Sequence, residues 1–259
     1  MNNIVVLHGI DHKVGTTMIA QSVAEIISVR KQNLKVLLLF LNGRRSTDYV
    51  REEFESITRF RMQLENRIIT GKEIIKACRC QNNLYMLAGI ESPEEERYYQ
   101  PDMSAYLLSM VKNEFDLILV DSGNTLDNGL ALGALTFSEL RFLILTQQET
   151  MLRRYEVLQP LYQKLKISFA GFIINKFSSQ DPYDLGYLSM RMDTVKSRIK
   201  RIEQTGSSRL AEMEYRTLLG FQDQKYTQDV LSLANLILAL TDKEQIIPGK
   251  RGIKWKNLF

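Results

Sequence analysis

The chain contains 259 residues, carries a formal charge of +4 and is 44% hydrophobic, which is typical of a folded protein and argues against a disordered or collagen-like chain. No apolar run approaches the ~20 residues that a membrane-spanning helix requires, and the amino terminus lacks the basic region of a secretory signal. Cys78 and Cys80 are too few for a disulfide scaffold, and they lack the second pair of a zinc site. These features predict a cytoplasmic protein.

Short apolar runs alternate with longer amphipathic stretches along the chain. Continuous apolar runs of this kind are typical of strands that are buried on both faces. The predicted strands are residues 4–7, 36–41, 84–87, 117–120, 142–145 and 169–174, and the predicted helices include residues 18–29, 105–111, 152–165 and 227–240. This alternation predicts an α/β fold with a mostly parallel twisted sheet and helices on both faces, a three-layer sandwich. We expect one domain over residues 1–241 and a basic, aromatic tail over residues 242–259.

The region between residues 181 and 214 is unusually polar and charged. It is predicted to contain a helix with five basic side chains, followed by a short strand at residues 215–219. The basic residues are Arg191, Lys196, Arg198, Lys200 and Arg201. Two interpretations remain open: a solvated charged face, or a surface that binds nucleic acid or an acidic partner through clustered cations.

The first predicted strand leads into the loop His8-Gly9-Ile10-Asp11-His12-Lys13-Val14-Gly15-Thr16-Thr17, after which a helix begins. The first N–H groups of a helix have no partner within the helix, and its dipole is positive at that end. The threonines add hydroxyls that suit a phosphate oxygen or Mg²⁺. The pattern therefore predicts an anion site at the start of this helix.

The loop resembles the deviant Walker A motif of the ParA/MinD family of P-loop ATPases, G-K-G-G-x-G-K-T-T. Counted from Gly9, the motif ends on Thr16 and Thr17. The motif's two lysines then fall on Ile10 and Gly15, and its internal glycines fall on Asp11, His12 and Val14. Both lysines are thus replaced. We also expect Val14 to adopt the positive φ of a glycine only at a cost.

Later landmarks support the resemblance over roughly residues 1–240. The segment from Phe115 to Gly123 resembles the family's Walker B strand and ends in Asp121. Asn175 follows another strand, at the place where the resemblance implies an asparagine that contacts adenine. Phe40 and Asn42 replace the two carboxylates that usually serve Mg²⁺ and the attacking water.

The resemblance implies an ATP and Mg²⁺ site that has lost its catalytic residues. The implied nucleotide-binding residues are Gly9, Asp11, His12, Lys13, Val14, Gly15, Thr16, Thr17, Asp121 and Asn175, and the implied Mg²⁺ ligands are Thr16 and Asp121. No catalytic residue is assigned, so we expect a pseudo-ATPase. Whether nucleotide still binds stays open, because a loop that has lost nucleotide binding and only joins the strand to the helix fits the sequence equally well. Two alternatives also stay open: an active ATPase in which Lys13 acts for the lost lysines, and a DNA-binding partition-like factor.

Within the family, the chain looks most like the branch associated with Tad-type pilus assembly, the TadZ/CpaE group, which tolerates atypical Walker loops. The resemblance implies self-association or a protein partner through the face that carries the nucleotide loop. The tail at residues 250–259 mixes four cations with Trp, Leu and Phe, a composition that suits peripheral contact with the inner face of a membrane. We therefore expect a cytoplasmic positional or assembly factor.

Overall fold

The computed structural model describes residues 2–247, which form eight strands and nine α-helices. The strands are β1 (Ile4–Gly9), β2 (Val36–Phe40), β3 (Arg79–Gln81), β4 (Leu84–Leu87), β5 (Leu117–Asp121), β6 (Leu140–Leu145), β7 (Gly171–Phe177) and β8 (Ile199–Glu203). The helices are α1 (Thr16–Arg30), α2 (Arg61–Glu65), α3 (Gly71–Ala77), α4 (Pro101–Val111), α5 (Gly129–Phe137), α6 (Glu149–Lys164), α7 (Leu185–Arg191), α8 (Ser208–Met213) and α9 (Gln224–Leu240). Each of these helices is too short or too polar to cross a bilayer.

All eight strands belong to one sheet with the order β3-β4-β2-β5-β1-β6-β7-β8. Every neighbouring pair is parallel except β3 and β4. Strands β1, β2 and β5 are buried along their whole length, which explains why they appear in the sequence as continuous apolar runs. The predicted fold class is confirmed. Because β1 lies between β5 and β6, the loops that follow these three strands meet at one edge of the sheet.

Local capping explains why α4 and α9 begin earlier than the apolar pattern predicts. Asp223 accepts a hydrogen bond from the backbone of the first turn of α9. Pro101 occupies the first turn of α4, where its missing N–H costs nothing. These polar or proline starts lie outside the apolar stripe, so periodicity alone does not find them.

The predicted charged helix and the strand after it are wrong. Lys200 and Arg201 lie on β8, an edge strand that pairs with β7, and the helix before it ends at Arg191. Ile199 and Ile202 are buried and three residues apart, a spacing that also fits a helix, and pairing with β7 decides between the two. Residues 215–219 form no strand but lead into a 3₁₀ turn at Leu218–Phe221.

The polypeptide after α9 remains packed against the domain through Ile246. This side chain is buried, and both its backbone groups bond to the amide of Asn235, at 2.7 Å for the N–H and 3.1 Å for the carbonyl. The predicted tail therefore includes residues that pack against α9. The basic and aromatic residues 250–259, for which membrane contact was expected, lie outside the described residues.

Candidate phosphate loop

The loop after β1 lies beside the end of β5, as the resemblance implies. The N–H of Gly9 donates to the carbonyl of Gly123 at 2.6 Å, and the N–H of Ile10 donates to the carbonyl of Ile144 at 2.9 Å. Helix α1 then starts at Thr16 and runs away from this edge of the sheet. The parallel pairing of β1 with both neighbours thus fixes where the loop begins.

Asp121 lies at the centre of the site and is fully buried. Its Oδ2 accepts hydrogen bonds from the hydroxyl of Thr17 at 2.6 Å and from Nδ2 of Asn42 at 2.8 Å. Its Oδ1 accepts from the N–H of Gly123 at 2.9 Å. Burial raises the pKa of Asp121 above its ordinary value, and these hydrogen bonds, which favour the charged form, oppose that rise.

The threonine that contacts Asp121 is Thr17, whereas the sequence assigned Thr16 together with Asp121 as the Mg²⁺ ligands. Thr16 is only 8% exposed, and its hydroxyl lies next to Gly9. A Cβ atom built on Gly9 would lie 2.5 Å from Oγ1 of Thr16 and 2.8 Å from Cγ2 of Val14. A side chain at position 9 would therefore displace the side chains of Thr16 and Val14.

The backbone conformation of the loop also differs from the expectation. Gly15 is the N-cap of α1 and has φ +89°, while Lys13 has φ +60°. Val14 is not among the residues with positive φ, so the strain expected there is absent. A Cβ on Gly15 would lie 2.4 Å from Nδ2 of Asn175. Position 15 therefore requires glycine for two reasons, its φ and the closeness of Asn175.

Three side chains from outside the loop donate hydrogen bonds to its carbonyl groups. Nε of Arg154 donates to Ile10 at 2.8 Å, Nδ2 of Asn175 donates to Val14 at 2.7 Å, and Nζ of Lys176 donates to Lys13 at 2.8 Å. The amide of Asn175, expected to contact adenine, is thus bonded to the loop. The sequence did not identify Arg154, because nothing in its local pattern shows that α6 brings it to β1.

The remaining loop residues lie at the surface. Oδ1 of Asp11 accepts from the N–H of His12 at 2.7 Å, and its Oδ2 lies 3.6 Å from Nε of Arg154. His12 and Lys13 are exposed, and the Lys13 ammonium has no partner within residues 2–247. Among these residues, the backbone N–H groups of Lys13, Val14 and Gly15 also make no hydrogen bond.

His8 is buried beneath the loop and belongs to the core. Its Nδ1 lies 3.0 Å from the hydroxyl of Ser122, and its ring meets that of Tyr162 edge-on, with the centroids 6.2 Å apart. Burial lowers the pKa of His8 to about 4, so the ring is neutral at pH 7. No group of three or more His, Cys, Asp or Glu side chains within residues 2–247 converges as a metal site requires.

Comparison with known proteins identifies the fold. Neither protein-family models nor curated protein sequences give a match to this chain. Among solved structures, a ParA family ATPase from Chlorobium tepidum TLS superposes with a TM-score of 0.79 at 14% identity, over 90% of this chain and 99% of that one. MinD from Pyrococcus horikoshii OT3, complexed with Mg-ADP, gives 0.73 at 18% identity, over 93% and 97% of the two chains. The MinC:MinD complex of Aquifex aeolicus gives 0.71 at 16% identity, over 96% and 99%. The chain therefore has the fold of the ParA/MinD ATPases.

Proposed function

We propose that this chain is a ParA/MinD-like protein that does not hydrolyse ATP and acts as a positional or assembly factor. The observation that carries the proposal is the position of glycine in the loop. Aligning Gly15, which has a positive φ, with the motif's last glycine places the two motif lysines on Asp11 and Thr16. Counting from Gly9 instead places them on Ile10 and Gly15. Neither alignment supplies a lysine.

Phosphoryl transfer depends on cations around the developing charge and on a correctly placed water. Removing one such group commonly costs about 10²–10³ in rate. Here Phe40, at one of the two expected carboxylate positions, is buried in the core. Asn42, at the other, donates to Asp121. Since several groups are missing together, we expect turnover close to zero.

The loop nevertheless suits a phosphate group. The N–H groups of Lys13, Val14 and Gly15, which have no partner among residues 2–247, lie at the start of a helix, where the dipole favours an anion. Thr17 and Asp121 carry the oxygen atoms that would hold Mg²⁺, although Asp121 already accepts three hydrogen bonds. Mg²⁺, when bound, would neutralise phosphate charge. We therefore propose that the chain retains nucleotide binding through its backbone.

Phosphate release with Mg²⁺ and ATP tests the central proposal. We expect no turnover above the rate without protein, and no difference between the chain and its Lys13→Ala variant. Turnover that disappears in this variant would overturn the proposal and favour the alternative, an ATPase in which the exposed Lys13 ammonium replaces the lost lysines.

We also propose that the loop face binds a second copy of this chain or a protein partner. The contact of Asn175 with Val14 and the backbone hydrogen bonds of Gly9 and Ile10 hold the loop in one shape without a ligand. Self-association should then depend little on ATP. Sedimentation velocity over a range of protein concentrations, with and without Mg-ATP, tests this, and a dimer that forms only with ATP would contradict it.

The cellular process is proposed from the resemblance to one branch of the family. We propose Tad-type pilus assembly as the process, because the TadZ/CpaE branch of the family tolerates atypical loops. A gene neighbourhood without pilus genes would contradict this proposal.

We also propose peripheral membrane contact through the tail. Liposome co-sedimentation of the full chain, compared with a chain that ends at Ile247 and so keeps Ile246 in place, tests it. Equal pelleting would exclude peripheral membrane contact through residues 248–259.

A further inference from the structure

Three cations surround the phosphate loop although the motif lysines are missing. Arg154 reaches it from α6, Lys176 reaches it from the end of β7, and Lys13 belongs to the loop itself. The carboxylate of Asp11 lies 3.6 Å from Nε of Arg154. The exposed rim of the loop therefore has a net positive charge.

The two cations from outside the loop retain unused hydrogen-bond donors. A guanidinium group has five N–H donors and an ammonium group has three. Within residues 2–247, Arg154 makes its contacts through Nε alone, which leaves its terminal nitrogens without partners. The ammonium group of Lys176 donates one hydrogen bond to the carbonyl of Lys13. Both side chains are exposed, so their remaining donors are available to a ligand.

A separate observation inside the loop points to an anionic ligand. Thr16 is 8% exposed, its hydroxyl lies beside Gly9, and it makes no side-chain hydrogen bond within residues 2–247. The backbone N–H groups of residues 13–15 are also unpaired in the described part of the chain. Buried polar groups are normally paired, so a row of unpaired donors beside a helix start suits a ligand made of acceptors.

We propose that Arg154 and Lys176 bind the polyphosphate of a nucleotide in place of the two motif lysines, an inference that rests on the nucleotide binding proposed above. The guanidinium and ammonium donors would turn from the loop carbonyls to phosphate oxygens. Arg154 would also leave Asp11, whose carboxylate competes with the phosphate for the same cation. Charge-assisted hydrogen bonds to phosphate are stronger than those to a neutral carbonyl, so the exchange is favourable.

Calorimetric titration of the full chain with inorganic triphosphate, and separately with ATP, tests the inference. We expect Arg154→Gln and Lys176→Met each to raise the Kd by about tenfold or more, the loss typical of a hydrogen bond to a charged group. Arg153→Gln and Lys164→Met are matched controls, because both residues are exposed on α6 and each variant removes one positive charge. The controls should change the Kd less than twofold. Thermal unfolding of all four variants identifies any that fail to fold.

A second variant probes the competition at Arg154 directly. Asp11→Asn should lower the Kd for triphosphate several-fold, and this gain should vanish when Arg154 is also changed to Gln, since the two groups act through one contact. Equal affinities for the Arg154 and Lys176 variants and their controls would overturn the inference. Absence of triphosphate and ATP binding to the unmodified chain would overturn it as well. Phosphate release by the unmodified chain would instead refute the proposed lack of hydrolysis and leave the role of these cations intact.

Discussion

Glu25 is a carboxyl group that is buried on α1 and forms no ion pair with any residue that the structure describes. It is 4% exposed, and its Oε1 accepts a hydrogen bond from Nε2 of Gln21 at 2.9 Å. Its other oxygen accepts from the hydroxyl of Thr217, just before the 3₁₀ turn that contacts α1. The hydroxyl of Tyr226, on α9, bonds to Ser22 on the same helix. Neutral groups thus surround a side chain that is ionised in water at pH 7.

Burial raises the pKa of Glu25 from 4.5 to about 7. In the folded chain this carboxyl group therefore keeps its proton between pH 4.5 and 7, whereas in the unfolded chain it loses the proton. The folded state binds more protons over this window, so the free energy of unfolding falls as the pH rises through it. The full loss, reached above about pH 7, is about 3 kcal/mol, since each pKa unit corresponds to about 1.4 kcal/mol.

Glu25→Gln removes this charge and keeps a side chain that can accept from Gln21 and donate to Thr217. We expect the free energy of unfolding of the variant minus that of the unmodified chain, both measured by urea titration, to be about 2–3 kcal/mol larger at pH 8 than at pH 5, so that the variant is relatively more stable at the higher pH. Groups that titrate in both proteins cancel from this comparison. Glu65→Gln, at an exposed site on α2, is the control. An equal difference at both pH values for Glu25→Gln would refute the reasoning.

Other substitutions test the loop and the core beneath it. Gly15→Ala should destabilise the chain by at least about 1 kcal/mol, because alanine disfavours φ +89° and its Cβ would meet Asn175; unchanged urea unfolding would contradict the loop conformation. Thr17→Val should cost roughly 1–3 kcal/mol by removing a donor to buried Asp121, and Thr17→Ser should recover most of it. The lowered pKa of His8 predicts that stability is lost as the pH falls from about 6.5 to about 4, and His8→Gln should flatten this loss in urea titrations from pH 7 to pH 4.

The sequence predicts the sheet well because burial on both faces leaves a simple signal. Strands such as β2 and β5 are apolar at every position, apart from the aspartate that ends β5, and their bounds match the predicted runs within one residue. The edge strand β8 escapes prediction for the opposite reason. Lys200 is half-buried and Arg201 is exposed, and only Ile199 and Ile202 of this strand are buried. A three-residue spacing of buried positions is ambiguous until the pairing partner is known.

The site is predicted less completely, because its geometry depends on backbone conformation and on distant contacts. The sequence correctly brings the loop to Asp121, since parallel strands end at one edge. The motif counted from Gly9 assigns Thr16 rather than Thr17 as the Mg²⁺ ligand, because counting residues gives no information about φ at Gly15. Arg154 is 144 residues away from the carbonyl that it contacts, so no local pattern reveals it.

The contacts of the loop favour a constant surface over a nucleotide-driven switch. A ligand can shift a conformational equilibrium only by its difference in affinity for the two states. Here Asn42 and Thr17 already donate hydrogen bonds to the carboxylate of Asp121, and the buried amide of Asn175 donates one to the carbonyl of Val14. These neutral hydrogen bonds give the loop its shape before any phosphate arrives, so binding has little left to reorganise. The backbone of such a loop keeps the same shape whether nucleotide is bound or absent, as the proposed assembly factor without a hydrolysis cycle requires.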